Sequence, residues 1–314
     1  MAKPDVLQLG PYPDWDQGPL EAAYRMHRLD LAADRAAFLR EIGPRVRGIA
    51  ARGTHKVDRA LIEACPGLEI VAVYGVGYDG VDLEACRARG VRVTNTPDVL
   101  TDDVADLGVA MMLALARRLR AAEDWVRSGD WASKGGFPLT RRVSGARAGV
   151  LGLGRIGMAV ARRLTGFGMD IAYCDLAPRD GVDLRYEADP VALAAQADFL
   201  FVTLAATAAT QAIVGQEVLA ALGPDGVLIN ISRASTVDES ALLKALETQS
   251  IAGAALDVFA GEPRIAPRFM TLENVLLQPH HASGTVETRK AMGALMRANL
   301  EAHFTGAPLP TPVI

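Results

Sequence analysis

Ala148-Gly-Val-Leu-Gly-Leu-Gly-Arg-Ile-Gly157 carries a short apolar run, Val150–Leu153, straight into Gly152-x-Gly154-x-x-Gly157, and a helical pattern follows at once. The physical reading is a buried strand, a tight turn, and a helix whose N-terminus points at a pyrophosphate. Gly152 permits the turn, Gly154 lets a phosphate approach the backbone, and Gly157 lets helix and strand pack closely. The glycine pattern by itself is weak. The strand before it, the helix after it, and an acid about 20 residues on (Asp175, closing Ile171-Ala-Tyr-Cys) make it a dinucleotide-binding unit. This first strand falls in mid-chain, so another folded unit must precede it.

The 314 residues suffice for two domains, each with a sizeable core. Half of the residues are hydrophobic but only 5% are aromatic, which suits a helix-covered parallel sheet better than a sandwich or a base-stacking surface. A net charge of −4 gives no general attraction to nucleic acid or to an anionic membrane. Cys65, Cys86 and Cys174 lie far apart, with neither a C-x-x-C nor a Cys/His pair at zinc spacing, so we expect buried thiols in a reduced compartment and no metal site. The opening residues lack an apolar signal region, and the longest apolar stretch, Leu107–Ala116, is too short to span a bilayer. The expectation is a cytoplasmic protein.

Working outward from the glycine loop, residues 1–96 alternate short apolar strands with helical patterns. Strands are expected at Val6–Leu9, Gly48–Ala51, Ile70–Val73 and Val91–Thr94; helices at Leu20–Leu29, Asp34–Ile42, Asp58–Ala64 and Leu83–Arg89. Such alternation implies a parallel sheet with helices on both faces. Asn95-Thr-Pro97 breaks the pattern, and Thr101-Asp-Asp103 starts a long helical run, Val104–Arg120, expected to be buried all round as a connector between domains. Residues 127–142 are polar and glycine-bearing, and we read them as an irregular arm. After Arg147, strands are expected at Ile171–Cys174, Phe199–Leu204, Val227–Ile231, Ala254–Val258 and Val275–Leu277, with helices at Ile156–Phe167, Val191–Ala195, Gln216–Leu222 and Ser240–Glu247. A last helix, Val286–Phe304, precedes a proline-bearing tail. The fold expected is α/β, with two doubly wound parallel-sheet domains of Rossmann-like form. Residues 1–96 and 283–314 form a flavodoxin-like substrate domain, into which a dinucleotide-binding domain, 97–282, is inserted.

An acid at the end of the second strand accepts hydrogen bonds from both ribose hydroxyls and repels a 2′-phosphate, so Asp175 favours NAD(H). Arg179, four residues on, could instead swing toward a phosphate and leaves NADP(H) possible. Three polar residues follow later strands, where open α/β sheets place ligands: Arg233, Glu262 and His280. Reducing a 2-oxo acid needs a cation to grip the carboxylate and polarise the carbonyl. It also needs a proton donor that titrates near neutrality, with a carboxylate on its far ring nitrogen. Each residue has a plainer reading as well: Arg233 as a helix cap, Glu262 as a turn residue before Pro263, His280 as a satisfied core histidine. The joint placement at strand ends favours the catalytic reading.

With these residues in view, the chain resembles the D-isomer-specific 2-hydroxyacid dehydrogenase family, from about residue 65 onward. The resemblance rests on Gly75-Val-Gly-Tyr-Asp79 with Val81-Asp82, Asn95-Thr-Pro-Asp-Val-Leu-Thr101, Leu151-Gly-Leu-Gly-Arg-Ile-Gly157, Asn230-Ile-Ser-Arg233, Leu256-Asp-Val-Phe259, Gly261-Glu-Pro263 and Pro279-His280. Pro279-His-His-Ala-Ser-Gly-Thr-Val-Glu-Thr-Arg289 and Asn299-Leu-Glu-Ala-His-Phe304 look most like the hydroxypyruvate, glyoxylate and hydroxyphenylpyruvate reductase branch. The resemblance implies that Arg233 binds the substrate carboxylate and carbonyl, that His280 is the acid/base with Glu262 as its partner, and that the amides of Val76 and Gly77 take the carboxylate. It further implies that Gly154, Arg155 and Ile156 cover the pyrophosphate and that Thr101 and Asp257 lie against the nicotinamide end, with Gly152, Gly157, Ile231, His280, Ser283 and Gly284 also in the cofactor site. Three departures stand out. Ala205 replaces a proline common in the family, Ala234 replaces the glycine after the arginine, and Asp175 stands where the reductase branch commonly has an arginine for the NADP 2′-phosphate.

The expected reaction is NAD(P)H-dependent reduction of a 2-oxo acid (hydroxypyruvate, glyoxylate or an aryl pyruvate) to the D-2-hydroxy acid, and its reverse, in the cleft between domains. Small-molecule acids are the expected partners, with no nucleic acid and no membrane. The resemblance implies a homodimer, with the Trp131–Phe137 loop near the partner. The alternative is a non-catalytic nucleotide-sensing protein or corepressor on the same fold.

Overall fold

The computed structural model describes residues 3–314. The chain opens with β1 (Asp5–Gln8), α1 (Asp14–Ala23), β2 (Arg25–Arg28), α2 (Arg35–Ile42), β3 (Val46–Arg52), α3 (Arg59–Ala64), β4 (Ile70–Tyr74), α4 (Leu83–Ala88) and β5 (Arg92–Thr94). Three helices follow without a strand: α5 (Thr101–Ala116), α6 (Leu119–Arg127) and α7 (Asp130–Lys134). Then come β6 (Arg147–Leu151), α8 (Arg155–Thr165), β7 (Asp170–Cys174), β8 (Arg185–Tyr186), α9 (Pro190–Ala195) and β9 (Phe199–Val202). The remainder is α10 (Gln216–Leu222), β10 (Val227–Asn230), α11 (Glu239–Glu247), β11 (Gly253–Leu256), β12 (Val275–Leu277) and α12 (Val286–Thr305). The chain forms two compact units: the described residues up to Leu100 together with Ser283–Ile314, and Thr101–Ala282.

In the first unit the strand order is β2-β1-β3-β4-β5, with every pairing parallel, which is the flavodoxin-like order expected. Its core is aliphatic, with Leu7, Ile49, Val71 and Val93 essentially inaccessible. Three helices start by one device. Asp34, Asp58 and Asp82 accept hydrogen bonds from the amides of Ala37 (3.0 Å), Leu61 (3.0 Å) and Ala85 (2.8 Å), satisfying donors that the helix leaves unpaired. The expected helix Leu20–Leu29 is replaced by α1, which starts at Asp14, and the edge strand β2. Residues 25–28 pair with Asp5–Gln8, and His27 Nε2 sits 2.6 Å from the Asp5 carboxylate. The apolar spacing of Leu20, Met26 and Leu29 imitates a helix across that break. In α1 the only inward residues are Asp16 and Leu20, and the fully buried Asp16 carboxylate forms an ion pair with Arg297 of α12. The C-terminal tail covers the free edge of β5, Val313 N donating to Val93 O at 2.7 Å.

In the second unit the order is β12-β11-β10-β9-β6-β7-β8, again all parallel. Counted from β6 this is the doubly wound 3-2-1-4-5-6 arrangement with one added strand. The central strands β9, β10 and β11 (FLFV, VLIN, GAAL) are buried at every position, as parallel strands covered on both faces must be. The expected continuous helix Val104–Arg120 ends at Ala116, because Arg118 adopts φ 49° and the chain restarts as α6. Nor is α5 buried all round: Asp102, Asp106 and Ala110 are exposed, and Arg163 of α8 pairs with both acids. The irregular arm contains the short α7, flanked by Gly129 and Gly135 at φ 80° and 86°. The two-residue β8 has no counterpart in the sequence reading, being too short for any apolar period to register.

Candidate active site

The glycine loop leaves β6 at the point where the sheet reverses its winding, between β6 and β9. Gly152 turns the chain at φ 95°, a left-handed conformation that favours glycine. Gly154 caps α8 with no side chain of its own, and a Cβ built there meets nothing within 4 Å. The amides of Arg155 and Ile156 open the first turn of α8, where no intrahelical acceptor exists, so an anion can be received there. Gly157 is different: a Cβ would run into the Gly152 carbonyl and lie 2.9 Å from the Thr203 hydroxyl. That hydroxyl donates to Gly152 O at 2.5 Å and fastens the loop to the segment after β9. The cradle therefore has an open face toward a ligand and a closed face toward the sheet, which fits a pyrophosphate.

Asp175 follows β7 beside this loop. Its Oδ2 accepts from the amide of Leu153 (3.1 Å) and from Nε and Nη2 of Arg179 (both 3.0 Å), and its Oδ1 accepts from the Leu176 amide (2.9 Å). Partial burial opposes ionisation, but the Leu176 amide, the Arg179 guanidinium and the Leu153 amide together hold the carboxyl below its ordinary range. Asp175 is an anion tied directly to the glycine loop.

Arg233, Glu262 and His280 all belong to the second unit, where Glu262 and His280 are hydrogen-bonded and the Arg233 charge acts on Glu262. Arg233 follows β10 in extended backbone, its carbonyl accepting from Asn230 Nδ2 (3.1 Å) and the Thr236 hydroxyl (2.7 Å). Glu262 accepts the Phe259 amide on Oε1 (2.7 Å), and its Oε2 stands 2.7 Å from His280 Nδ1. Burial raises the Glu262 pKa, yet the bond to His280, the Phe259 amide and the nearby charges of His280 and Arg233 carry it below the usual carboxylate value. The glutamate is thus ionised and its other oxygen is spoken for, so His280 Nδ1 donates to it and Nε2 is the ring nitrogen left for other chemistry. His280 holds a left-handed φ of 51°, rare for a non-glycine residue.

Asp257 accounts for that backbone. It is almost fully buried, and its two oxygens accept the amides of His281 (2.9 Å) and Ala282 (3.0 Å), the two residues after His280. Burial pushes its carboxyl up, with the two amides pulling the other way. The sequence reading put Asp257 at the nicotinamide end and did not foresee this anchoring. It also assigned nothing to Asn230, Ser232 and Thr236. These form a buried network in which Asn230 Oδ1 accepts from the Ser232 amide (3.0 Å) and hydroxyl (2.8 Å), and together they fix the Arg233 backbone. An asparagine closing the apolar run Val-Leu-Ile was the available signal, since a buried amide side chain must be hydrogen-bonded.

Ile231 is buried with its side chain over Gly108 of α5, and Thr101 begins α5. Val76 and Gly77 follow β4 in the first unit, where Asn95 Nδ2 donates to the Val76 carbonyl at 2.9 Å. Ser283 and Gly284 lead into α12 in that same unit. His281 Nε2 is 2.8 Å from Gln278 Oε1, a local contact apart from the Glu262–His280 pair. Among the described residues no group of three or more His, Cys, Asp or Glu side chains is placed to hold a metal ion, and no helix is long and apolar enough to cross a membrane.

Residues 109–282 match the model of the D-isomer specific 2-hydroxyacid dehydrogenase NAD binding domain. The chain is 44% identical to the hydroxyphenylpyruvate reductase of Plectranthus scutellarioides, over 98% of each chain. It is similar in structure to a 2-hydroxyacid dehydrogenase from Ketogulonicigenium vulgare Y25, with 65% identity, a TM-score of 0.94, and 100% of this chain and 99% of that one covered. It also resembles an NADPH-dependent glyoxylate/hydroxypyruvate reductase from Sinorhizobium meliloti solved with NADP and malonate, at 44% identity and a TM-score of 0.94, covering 99% and 97%. Motifs, fold and relatives agree: the chain belongs to the D-isomer specific 2-hydroxyacid dehydrogenase family.

Proposed function

We propose that this protein reduces a 2-oxo acid to the D-2-hydroxy acid, and catalyses the reverse, using NAD(H) in preference to NADP(H). The observation that carries the proposal is the 2.7 Å bond from His280 to a depressed Glu262, with the Arg233 charge in reach, in the same unit as the dinucleotide cradle. Relatives of this family named as glyoxylate/hydroxypyruvate and hydroxyphenylpyruvate reductases support the substrate class, and Asp175 supports the cofactor preference.

When bound, the nicotinamide supplies hydride to the carbonyl carbon or takes it back. Arg233 grips the carboxylate and carbonyl oxygen with parallel charge-assisted bonds and stabilises the negative charge that develops on that oxygen. His280 delivers its Nε2 proton to the same oxygen, and in the reverse direction removes it. Glu262 keeps the imidazole in the tautomer that leaves Nε2 facing the chemistry and stabilises the imidazolium. We assign the amides of Val76 and Gly77 to the substrate carboxylate. Gly152, Gly154, Arg155, Ile156 and Gly157 are assigned to the pyrophosphate, and Thr101, Ile231, Asp257, Ser283 and Gly284 to the nicotinamide end. A nucleotide sensor without turnover has no use for the Glu262–His280 bond.

A homodimer is supported by the 119–139 segment, where Leu119, Val126, Trp131 and Leu139 are exposed and α6 buries no residue. A cytoplasmic setting is supported by three free, buried cysteines. Kinetics with NADH and NADPH against hydroxypyruvate, glyoxylate and an aryl pyruvate test the reading. Turnover of at least one acid with a higher kcat/KM for NADH is expected, whereas absence of turnover with all three would overturn it.

A further inference from the structure

The amides of Val76 and Gly77 belong to two consecutive peptide units, and both units are held from behind. The Gly75 carbonyl accepts the Thr96 amide at 2.9 Å, and the Val76 carbonyl accepts Asn95 Nδ2 at 2.9 Å. A trans peptide is planar, with its N–H opposite its C=O. The Gly75 carbonyl shares a plane with the Val76 N–H, and the Val76 carbonyl shares one with the Gly77 N–H. Each amide is therefore aimed away from the Asn95-Thr96 segment. Among the described residues neither amide donates to another group of the chain, and Val76 and Gly77 are both partly exposed. A hydrogen bond on the carbonyl also polarises the unit and strengthens its N–H as a donor.

Asn95 lies just past β5 and is itself tied down. Its carbonyl accepts the Thr311 hydroxyl at 2.7 Å, and its amide donates to the Thr311 carbonyl at 3.4 Å. Thr311 in turn exchanges two bonds with the fully buried Asn299 of α12. The Thr311 amide donates to Asn299 Oδ1 at 3.1 Å, and the Thr311 hydroxyl accepts from Asn299 Nδ2 at 2.7 Å. All of these residues belong to the first unit. Covering the edge of β5 needs only main-chain pairing, which Val93 and Val313 supply. Asn299, Thr311 and Asn95 add a side-chain relay that ends on the Val76 carbonyl.

We propose that Asn95 is a positioning residue for substrate binding and that Thr311 and Asn299 act through it, aiming the Gly77 amide at the substrate carboxylate. The inference rests on the assignment of the Val76 and Gly77 amides to that carboxylate. The carboxylate bears the same charge before and during hydride transfer, so these amides hold ground and transition states alike. Loss of aim therefore raises KM and leaves kcat.

The test combines kinetics with hydroxypyruvate and calorimetric titration of the NADH-bound full chain with oxamate, an unreactive isostere of a 2-oxo acid. It compares wild type, Asn95→Ala, Asn95→Asp, Thr311→Val and the double variant Asn95→Ala/Thr311→Val. Asn95→Ala should raise KM and the oxamate Kd about 3- to 30-fold, a fraction of the energy of a hydrogen bond to a charged group, with kcat within about twofold. Asn95→Asp, similar in shape but with an acceptor facing the Val76 carbonyl, should do no better than alanine. Thr311→Val should raise KM about two- to fivefold, and the double variant no more than Asn95→Ala alone, because the second change acts through the first. Unchanged KM in Asn95→Ala, a loss confined to kcat or to Tm, or multiplied effects in the double variant would overturn the proposal. Replacing Gly77 by glycolic acid, which makes its amide an ester and deletes the N–H, answers the underlying assignment separately. If KM and oxamate affinity stay unchanged there, the Gly77 amide is not a carboxylate ligand, whatever Asn95 does.

Discussion

Replacing Gly157 and Gly154 separately by alanine should break the protein in two different ways, although they are neighbours in one motif. At Gly157 the new methyl collides with the Gly152 carbonyl and presses on the Thr203 hydroxyl, and neither is the end of a flexible side chain free to move away. Overpacking of this kind costs about 1–3 kcal/mol. Disturbing the 2.5 Å bond from Thr203 to Gly152 O adds about 1 kcal/mol more. At roughly 2–4 °C per kcal/mol for a unit of this size, Tm should fall by about 5–15 °C. At Gly154 the methyl meets no protein atom and the backbone has φ −70°, so Tm should stay within about 2 °C. There, on the pyrophosphate contact proposed for Gly154, the methyl stands in the path of the ligand. Loss of one charge-assisted bond at about 1.5–3 kcal/mol should weaken NADH about 10- to 100-fold. Differential scanning calorimetry and NADH titration on the two variants provide the assay. An unchanged Tm for Gly157→Ala, or an unstable Gly154→Ala that binds NADH normally, would refute this division of roles.

Glu262→Gln keeps the shape but loses the charge beside His280 Nδ1, so kcat should fall about 10²–10⁴-fold with NADH affinity retained, measured by steady-state kinetics and titration. Stability should depend on acid in a definite direction. Asp198 is held low chiefly by its bonds to Arg147, and Asp30 by Arg28; Glu262 and Asp175 also titrate below their ordinary values despite burial. An acid whose folded pKa is depressed adds stability that is complete above its unfolded value, about 4, and is lost as pH falls through the folded value. Asp257, raised by burial, works the other way and offsets part of this. Urea midpoints should therefore decline slightly below about pH 6.5, where burial keeps His55 from taking up the proton it gains on unfolding, and more steeply below about 4, less so in Asp198→Asn; a protein that gains stability on acidification would contradict the signs.

Most of the fold was legible because parallel strands write themselves as uninterrupted apolar runs. Phe199–Val202 and Val227–Asn230 could be read with nearly correct limits, and the winding followed from alternation alone. What escaped had a local cause. β2 is a polar edge strand preceded by a leucine at helical spacing, β8 has two residues, and Arg118 breaks a run that propensity would continue by adopting a left-handed turn. At the site, Arg233, Glu262 and His280 were recognisable as charged groups at strand ends, and the chain does bring Glu262 and His280 together. The supports were hidden because they depend on long-range partners. No spacing announces that Asp257 takes the amides of residues 24 and 25 positions away, or that Asn230 and Thr236 hold the carbonyl of Arg233.

The most direct test of the catalytic assignment is Arg233→Ala, with NADH binding and 2-oxo acid turnover measured on the same preparation. Turnover should fall by at least about 10³-fold, the cost of losing the charge on the developing alkoxide, while NADH binds as in wild type. Loss of NADH binding together with turnover, or turnover that survives, would contradict the role given to Arg233.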